Sequence, residues 1–284
     1  MTRVAGYEVT TALLTRFRLD GGAMFGSVPK LLWERYHGAD EQNRIAMVSR
    51  VLVLRGESSC VIVDAGVGDK FGPKETEHFD VRPVPESELP FRWDEVTDIV
   101  LTHMHFDHCG GVSVWKEPSG KDFDGPRESR LRVPEARVYL QRENWERARA
   151  PGPRERASYL PENVVPLETG RLELVDGVKE VLPGLTVHPS HGHTRGMQWV
   201  TVGEGRDTVA FPADLIPTSA HVHLPFVMGY DMSVETVLEE KEAFLRQALD
   251  EDWTVVFAHD AKVTAARLAQ DRRGRYSLGD PVGL

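Results

Sequence analysis

Short runs of apolar and β-branched residues recur along the chain, and each run is bounded by Gly, Pro, Asp or Glu. Runs of this length between such boundaries are typical of β-strands. They predict eight strands, at residues 51–54, 60–63, 99–101, 138–140, 185–187, 199–202, 208–211 and 254–257.

Residues 233–249 show the clearest helical periodicity, because their apolar side chains recur at the spacing of one helix face. The positions on this stripe are Val234, Val237, Leu238, Leu245 and Leu249. Ser233 is expected to cap the amino end of the helix, since a serine oxygen can accept a free backbone N–H there. A second, shorter helix is predicted over residues 141–148.

Two segments are predicted to be inserted loops. Residues 66–94 are rich in proline and charge, and residues 116–134 mix glycine, proline and both signs of charge. Strands and helices are intermixed elsewhere, without the regular strand–helix alternation of a single parallel sheet. This order favours an α/β fold with two sheets and helices outside them. We expect residues 1–284 to form one domain that carries both loops.

The composition is that of an ordinary globular protein, with 284 residues, 40% hydrophobic and 27% charged. A chain of this length can bury a large core without a disulfide or a structural metal. Any bound metal is therefore expected to be functional. Two cysteines, an amino terminus without an export pattern and the lack of a long apolar run predict a cytoplasmic protein without a membrane segment.

The formal net charge is −10, which disfavours binding to a nucleic-acid backbone. Residues 146–156 interleave four arginines with two glutamates. We interpret this stretch as a solvated, ion-paired face. The expected partner is a small-molecule substrate, and a homodimer stays open.

Residues 101–111 concentrate four side chains of the kind that bind metals: His103, His105, Asp107 and His108. They follow a predicted strand, whose end can hold them rigidly. His103 and His105 lie two positions apart in extended backbone and can point the same way. Imidazole and carboxylate donors suit zinc, iron or manganese. The stretch therefore predicts a metal site, although a hydrolytic site needs further ligands from elsewhere.

Three more candidate ligands each follow a predicted strand by a few residues. They are His193, Asp214 and His259. Strand ends that meet at one edge would bring these side chains to the same place. The chain lacks a Gly-x-Ser-x-Gly turn, which would have indicated a serine nucleophile.

This ordered pattern resembles the metallo-β-lactamase superfamily: H-x-H-x-D-H, then G-H-T, then an isolated Asp, then a late His. Asp64 matches the early Asp-x-Gly turn of that superfamily, and the resemblance runs over residues 51–259. More narrowly, residues 22–26 with Pro29 and Trp33 resemble the entry segment of a branch related to methyl parathion hydrolases and N-acyl homoserine lactonases. Phe106 within the His cluster is also similar to the lactonases.

The resemblance implies an αββα sandwich of two mixed β-sheets flanked by helices, with two divalent metal ions at one edge. Zinc is the expected metal, with manganese, iron or cobalt as alternatives. By this analogy the first metal has three histidine ligands, the second has two histidines and an aspartate, and one aspartate bridges them. These ligands are, in order, His103, His105 and His193; Asp107, His108 and His259; and Asp214.

Two such metals can share a water and lower its pKa, so that hydroxide attacks the substrate. Asp107 is expected to ligate the second metal and to orient this nucleophile, as the catalytic residue.

The substrate is expected to be small, neutral and partly apolar, because residues 224–230 are apolar and uncharged. The predicted substrate contacts are Met24, Phe25, Phe106, Phe226 and Met228. These features favour an ester or lactone hydrolase.

The alternatives are a phosphotriesterase or a glyoxalase II-like thioesterase of the same fold, a mononuclear iron persulfide dioxygenase, and a binding protein with a degenerate site. The roles of His191, His221 and His223 stay open.

Overall fold

The fold is built on two β-sheets, which a computed structural model describes over residues 2–116 and 127–284. Strands of the first sheet are β1 (Thr2–Val4), β2 (Tyr7–Asp20), β3 (Arg44–Arg55), β4 (Cys60–Val63), β5 (Arg82–Pro83), β6 (Asp98–Val100), β9 (Arg137–Gln141) and β10 (Arg171–Val175). A separate hairpin joins β7 (Ser113–Trp115) to β8 (Ser129–Leu131). Strands of the second sheet are β11 (Lys179–Leu182), β12 (Leu185–Ser190), β13 (Met197–Val202), β14 (Val209–Phe211), β15 (Thr254–Val256), β16 (Ala265–Gln270) and β17 (Tyr276–Pro281).

Both sheets mix parallel and antiparallel pairs. The first has the order β1-β2-β3-β4-β6-β9-β10, with β5 beside β2, and β4, β6, β9 and β10 run parallel. The second follows chain order from β11 to β17, and only β14 and β15 are parallel neighbours among the described strands. The described helices are α1 (Gly21–Phe25), α2 (Lys30–Trp33), α3 (Pro73–His78), α4 (Phe106–Cys109), α5 (Arg142–Arg149), α6 (Pro161–Val164) and α7 (Val234–Asp250).

The main core lies between the two sheets. On β3, Leu52 and Leu54 pack into this core, whereas Val51 and Val53 pack on the opposite face of the sheet. Alternate side chains of a strand point to opposite faces, so a strand buried on both faces is apolar throughout. Trp145 of α5 belongs to the outer cluster of the first sheet. This arrangement is the predicted αββα sandwich.

All eight predicted strands coincide with observed ones, although several are longer than expected. The predicted long helix is confirmed as α7, and the Ser233 hydroxyl accepts the N–H of Thr236 at its amino end. Its apolar stripe was partly misassigned, because Val234 is 45% exposed and Phe244 is buried instead. Phe244 packs edge-on against Trp199 on the outer face of the second sheet.

The two predicted loops contain more structure than expected. Residues 66–94 include α3 and β5. Of residues 116–134, the segment 117–126 lies outside the described part of the chain, and β8 occupies part of the remainder. In the described ranges, no helix combines the length and apolar character needed to span a membrane.

Two glycines permit a close crossing of backbones beside the His cluster. A Cβ added at Gly110 would lie 1.9 Å from the carbonyl oxygen of Val67, and one at Gly111 would lie 2.1 Å from that of Ala65. The Ala65 N–H donates to the carbonyl of His108 at 2.6 Å across the same crossing. Neither position has room for a side chain unless the backbone that carries His108 moves.

We therefore predict that Gly110→Ala lowers the free energy of unfolding by about 1–3 kcal/mol, as overpacking does in a rigid interior. Urea unfolding in the presence of a chelator measures this without a contribution from metal release. Gly38→Ala is the control, because a Cβ there meets nothing within 4 Å and should change stability by less than about 0.5 kcal/mol. Equal stability of the two variants would show that the crossing can relax.

Candidate metal centre

The seven predicted ligands lie just beyond strand ends, and the fold brings them together. His103 and His105 follow β6, and Asp107 and His108 lie on the short helix α4 that comes next. Ser49 of β3 fixes this turn, because its hydroxyl donates to the carbonyl of Asp107 at 2.7 Å.

The second sheet supplies the other three side chains. His193 lies on the β12–β13 connection, Asp214 in a 3-10 turn after β14, and His259 after β15. All seven side chains are buried, with relative exposures of 0–9%.

The ligand atoms converge in three overlapping groups, within each of which they lie no more than 4.8 Å apart. The groups are His103, His105 and His193; His103, His108 and Asp214; and Asp107, His108 and His259. Each residue of the predicted set belongs to at least one group.

Asp214 lies between the two outer groups and turns one oxygen to each. Its Oδ2 is 3.2 Å from Nε2 of His193 and 4.0 Å from Nε2 of His103. Its Oδ1 is 3.0 Å from Nε2 of His259 and 3.2 Å from Nε2 of His108. One carboxylate thus faces four imidazole nitrogens, two on each side.

Hydrogen bonds behind the rings set which nitrogen faces the centre. The Nδ1–H of His259 donates to the carbonyl of Val48 at 2.8 Å, so its Nε2 carries the lone pair when the ring is neutral. Nδ1 of His108 is 2.7 Å from the Asp64 carboxylate, which assigns the same tautomer. Such carboxylate or carbonyl partners are typical of histidines that ligate metals.

Two further rings are held in the same way. Nδ1 of His193 is 2.9 Å from the carboxylate of Asp231. Nδ1 of His103 is 3.1 Å from the hydroxyl of Thr102, which itself donates to Asp64. Each of these rings therefore also presents Nε2 to the centre.

The resulting donor set fits a metal ion. Nε2 of His108 and Nε2 of His259 are only 2.9 Å apart, and Nε2 of His193 is 3.1 Å from Nδ1 of His105. With these tautomers, neutral His108 and His259 would oppose their lone pairs in a buried space, which is unfavourable unless a metal ion or a proton lies between them. Nε2 of His103 is buried and has no hydrogen-bond partner.

Burial and mutual repulsion of charge govern protonation at the centre. Burial lowers the pKa values of His103 and His105 well below their usual range. Burial opposes the charged form of His108 as well, but the carboxylates of Asp214 and Asp64 outweigh it and raise the pKa of that ring. A cation that binds Nε2 of His108 must displace a proton, so metal binding is coupled to proton release.

Helix α7 holds the loop that carries His193. The Glu240 carboxylate accepts hydrogen bonds from the Ser190 hydroxyl at 2.6 Å, from the His191 N–H at 2.8 Å and from the Gly192 N–H at 3.2 Å. Three bonds to one carboxylate fix the backbone immediately before His193.

A cleft of about 360 Å³ opens onto the centre. Five predicted ligands reach it: His105, Asp107, His193, Asp214 and His259. Its remaining lining is largely apolar, with a few polar side chains at Arg154, Glu155, Ser158 and Tyr230. The apolar part consists of Leu19, Met24, Phe79, Phe106, Ala157 and Met228, with Gly229 beside them.

The structure places three of the five predicted substrate contacts on this cleft, namely Met24, Phe106 and Met228. For Phe25 and Phe226 the predicted substrate contact is corrected, because neither side chain lines the cleft. Phe25 is fully buried and stacks on Trp33 with ring centroids 5.4 Å apart, and Phe226 packs edge-on against Phe25. These two side chains support the cleft from behind.

The three histidines whose roles stayed open lie outside this ligand group. His191 is exposed near the carboxylate of Glu143, at 3.3 Å. His221 is buried, and burial lowers its pKa to about 3, as expected for a neutral core histidine. His223 is 2.7 Å from the hydroxyl of Tyr36.

Sequence reasoning missed Asp231 and Arg154. Asp231 lies 38 residues after its partner His193, and no local pattern distinguishes it from other acids. Arg154 belongs to the stretch interpreted as an ion-paired face, yet it lines the cleft. The expectation of a neutral substrate rested on residues 224–230 and on Met24, Phe25 and Phe106, and it did not include this cation.

Solved structures with the same fold include a probable metal-dependent hydrolase from Staphylococcus aureus. It has a TM-score of 0.85 and 24% identity over 99% of this chain and 100% of the other. AidC, a dizinc quorum-quenching lactonase in complex with a product, has a TM-score of 0.73 and 16% identity over 99% and 97%. At these identities the likeness establishes the fold alone.

In sequence, the chain is 27% identical over 243 residues to a probable metallo-hydrolase of Mycobacterium bovis, and equally to one of Mycobacterium tuberculosis. The alignment covers 76% of this chain and 76% of each relative. The family model of the metallo-beta-lactamase superfamily matches residues 45–259, a span that includes all seven predicted ligands. The chain therefore belongs to the metallo-β-lactamase superfamily.

Proposed function

We propose that this protein is a metal-dependent hydrolase with two metal ions, which cleaves an ester or lactone bond of a small, partly apolar substrate. The observation that carries the proposal is the position of Asp214. Its two oxygens face separate imidazole groups, as a carboxylate that bridges two cations would. His103, His105 and His193 would hold one metal, and Asp107, His108 and His259 the other.

Zinc is the proposed metal, because imidazole and carboxylate donors in three-residue sets are typical of catalytic zinc. Bound there, two such ions polarise a carbonyl oxygen and make a water nucleophilic near neutral pH. The protein's contribution is to fix the donors: Asp64, Asp231 and the Val48 carbonyl orient the rings from behind.

Asp107 is the proposed catalytic residue. Its Oδ2 is 3.7 Å from Nε2 of His259 and 3.9 Å from Nε2 of His108, and the side chain also reaches the cleft. A carboxylate in this position can orient an attacking water and accept its proton.

The cleft supports the substrate class. Leu19, Met24, Phe106 and Met228 give it apolar walls, which suit an acyl chain or an aryl group. AidC is described as a lactonase in complex with its product, N-hexanoyl-L-homoserine. This product carries an apolar acyl chain, which is the kind of group that the walls of the cleft would suit. This comparison favours a lactone or ester over a phosphotriester.

One observation favours a second candidate, a thioesterase of the glyoxalase II type. Arg154 lines the cleft and could bind a carboxylate of a glutathione thioester. Glutathione carries two carboxylates, however, and Arg154 is the one arginine of the cleft lining within the described chain. We therefore keep the ester or lactone as the first choice.

Metal analysis tests the proposed centre. Protein purified without chelator should contain close to two zinc ions per chain by elemental analysis. His193→Ala should lose metal from one position and His259→Ala from the other, since each change removes one of few protein ligands. His188→Gln is the control, because His188 stacks on Trp199 away from the cleft and should not alter metal content.

Two metals retained in both alanine variants would contradict the assignment. One iron per chain in the parent would favour the mononuclear dioxygenase instead, and no metal would favour a degenerate site.

Asp107→Asn tests the catalytic assignment. The amide keeps the shape of the side chain but cannot accept the proton, so kcat should fall about 10²–10⁴-fold, as when a general base is lost. The free energy of unfolding should change little. Asp176→Asn is the control, because Asp176 is an exposed partner of Arg142 and should leave kcat unchanged. Parent-like turnover of Asp107→Asn with full metal content would exclude this role.

The substrate class is tested by kcat/KM on zinc-loaded protein. Acyl lactones and aryl esters should be hydrolysed with higher kcat/KM than a glutathione thioester or a phosphotriester, because the cleft walls are mainly apolar. A clear preference for the thioester would make the second candidate correct while leaving the metal centre unaffected.

A further inference from the structure

We infer that the cleft contains a subsite for an anionic group of the substrate, formed by the guanidinium of Arg154. The inference rests on the proposed function, and it adds a chemical requirement to the substrate: an apolar body with a carboxylate remote from the bond that is cleaved.

Arg154 shares the cleft with the metal-binding side chains. It lies on the loop before the 3-10 turn Arg156–Ser158, and its Nη2 donates to the carbonyl oxygen of Gly229 on the facing loop. Gly229 lies between two other lining residues, Met228 and Tyr230. This bond holds the guanidinium at the wall of the cleft.

Two arginines that precede Arg154 in the chain form ion pairs, and Arg154 does not. Arg149 pairs with Glu168 at 3.3 Å, and Arg147 pairs with Glu155. No carboxylate oxygen of residues 2–116 or 127–284 is within 4.0 Å of a guanidinium nitrogen of Arg154. A guanidinium has five N–H donors, and the carbonyl of Gly229 uses one of them.

The acids of the cleft do not compete for this cation. Glu155 accepts the Thr194 hydroxyl at 2.7 Å and faces Arg147 with its other oxygen. Asp107 and Asp214 are directed at the imidazole nitrogens. Arg154 therefore keeps donors for a ligand.

The class of ligand follows from the geometry of the N–H donors of Arg154 and from the apolar walls of the cleft. The planar fork of an arginine matches a carboxylate, with which it can form two parallel hydrogen bonds. The apolar side chains of Met24, Phe106 and Met228 also line the cleft, and they suit a short hydrocarbon chain. A monoester of a dicarboxylic acid combines both features, because it has a hydrocarbon chain and a free carboxylate remote from the ester bond.

The test compares two substrates whose remote carboxyl group is either free and charged or capped as a methyl ester: the 4-nitrophenyl monoester of glutaric acid and its methyl-capped diester. Release of nitrophenolate is measured on zinc-loaded parent, Arg154→Met and Arg154→Lys. Arg154→Met should lower kcat/KM for the monoester about 10- to 100-fold, the loss expected for a hydrogen bond to a charged group. The diester should change less than about two-fold, and Arg154→Lys should retain part of the preference.

Arg156→Met is the matched control, because Arg156 is an exposed arginine two residues away that does not line the cleft. It should behave as the parent on both substrates. An equal fall on both substrates in Arg154→Met would show that the side chain only braces Gly229, and no change would show that it binds nothing; either result overturns the inference.

A binding measurement distinguishes failure of this inference from failure of the proposed function. If the parent hydrolyses neither these two esters nor the acyl lactones and aryl esters named above, the proposed function fails. Calorimetric titration of glutarate into zinc-loaded parent and Arg154→Met then decides the inference alone. Glutarate affinity should fall at least ten-fold in the variant. Equal affinities would refute an anionic subsite.

Discussion

The structure depends on holding the ring nitrogens of several buried histidines close together at the bottom of the cleft. Nε2 of His108 and Nε2 of His259 lie 2.9 Å apart in a buried space. Such a contact is stable only when a cation or a proton compensates it, and when each ring is prevented from turning away. The Asp64 carboxylate and the Val48 carbonyl provide that restraint. A preorganised donor set is thus a product of the surrounding fold.

Neither sheet contains the centre by itself. The first sheet delivers the segment 103–108, and the second delivers His193, Asp214 and His259. The Gln198 N–H of the second sheet donates to the carbonyl of Thr102 in the first at 2.8 Å, immediately before the His cluster. The spacing of the ligands is therefore set by the apolar core between the sheets, and an error in that packing would separate the two halves of the site.

The sequence predicts those features that local pattern determines. Bounded apolar runs predicted eight of the described strands and missed the others, among them β2, where threonine and arginine interrupt the apolar positions. Clustered ligands predicted the convergence of seven side chains. Met24 and Phe25, in contrast, are adjacent, both apolar and both buried, yet only Met24 lines the cleft. Tertiary packing determines which of two adjacent apolar side chains lines the cleft, and the local sequence does not predict it.

Asp231 joins the cleft wall to the metal-binding side chains. Its Oδ1 is 2.9 Å from Nδ1 of His193, and its Oδ2 accepts the N–H of Met228 at 2.8 Å. The buried Lys241 donates to the carbonyl of Phe226 at 2.5 Å and so fixes the start of the same wall. A substrate that presses on this wall acts on the backbone whose aspartate orients His193. Asp231 thus connects one wall of the cleft to the ring of His193, so that a displacement of the backbone at Met228 would also displace the hydrogen-bond partner of that ring.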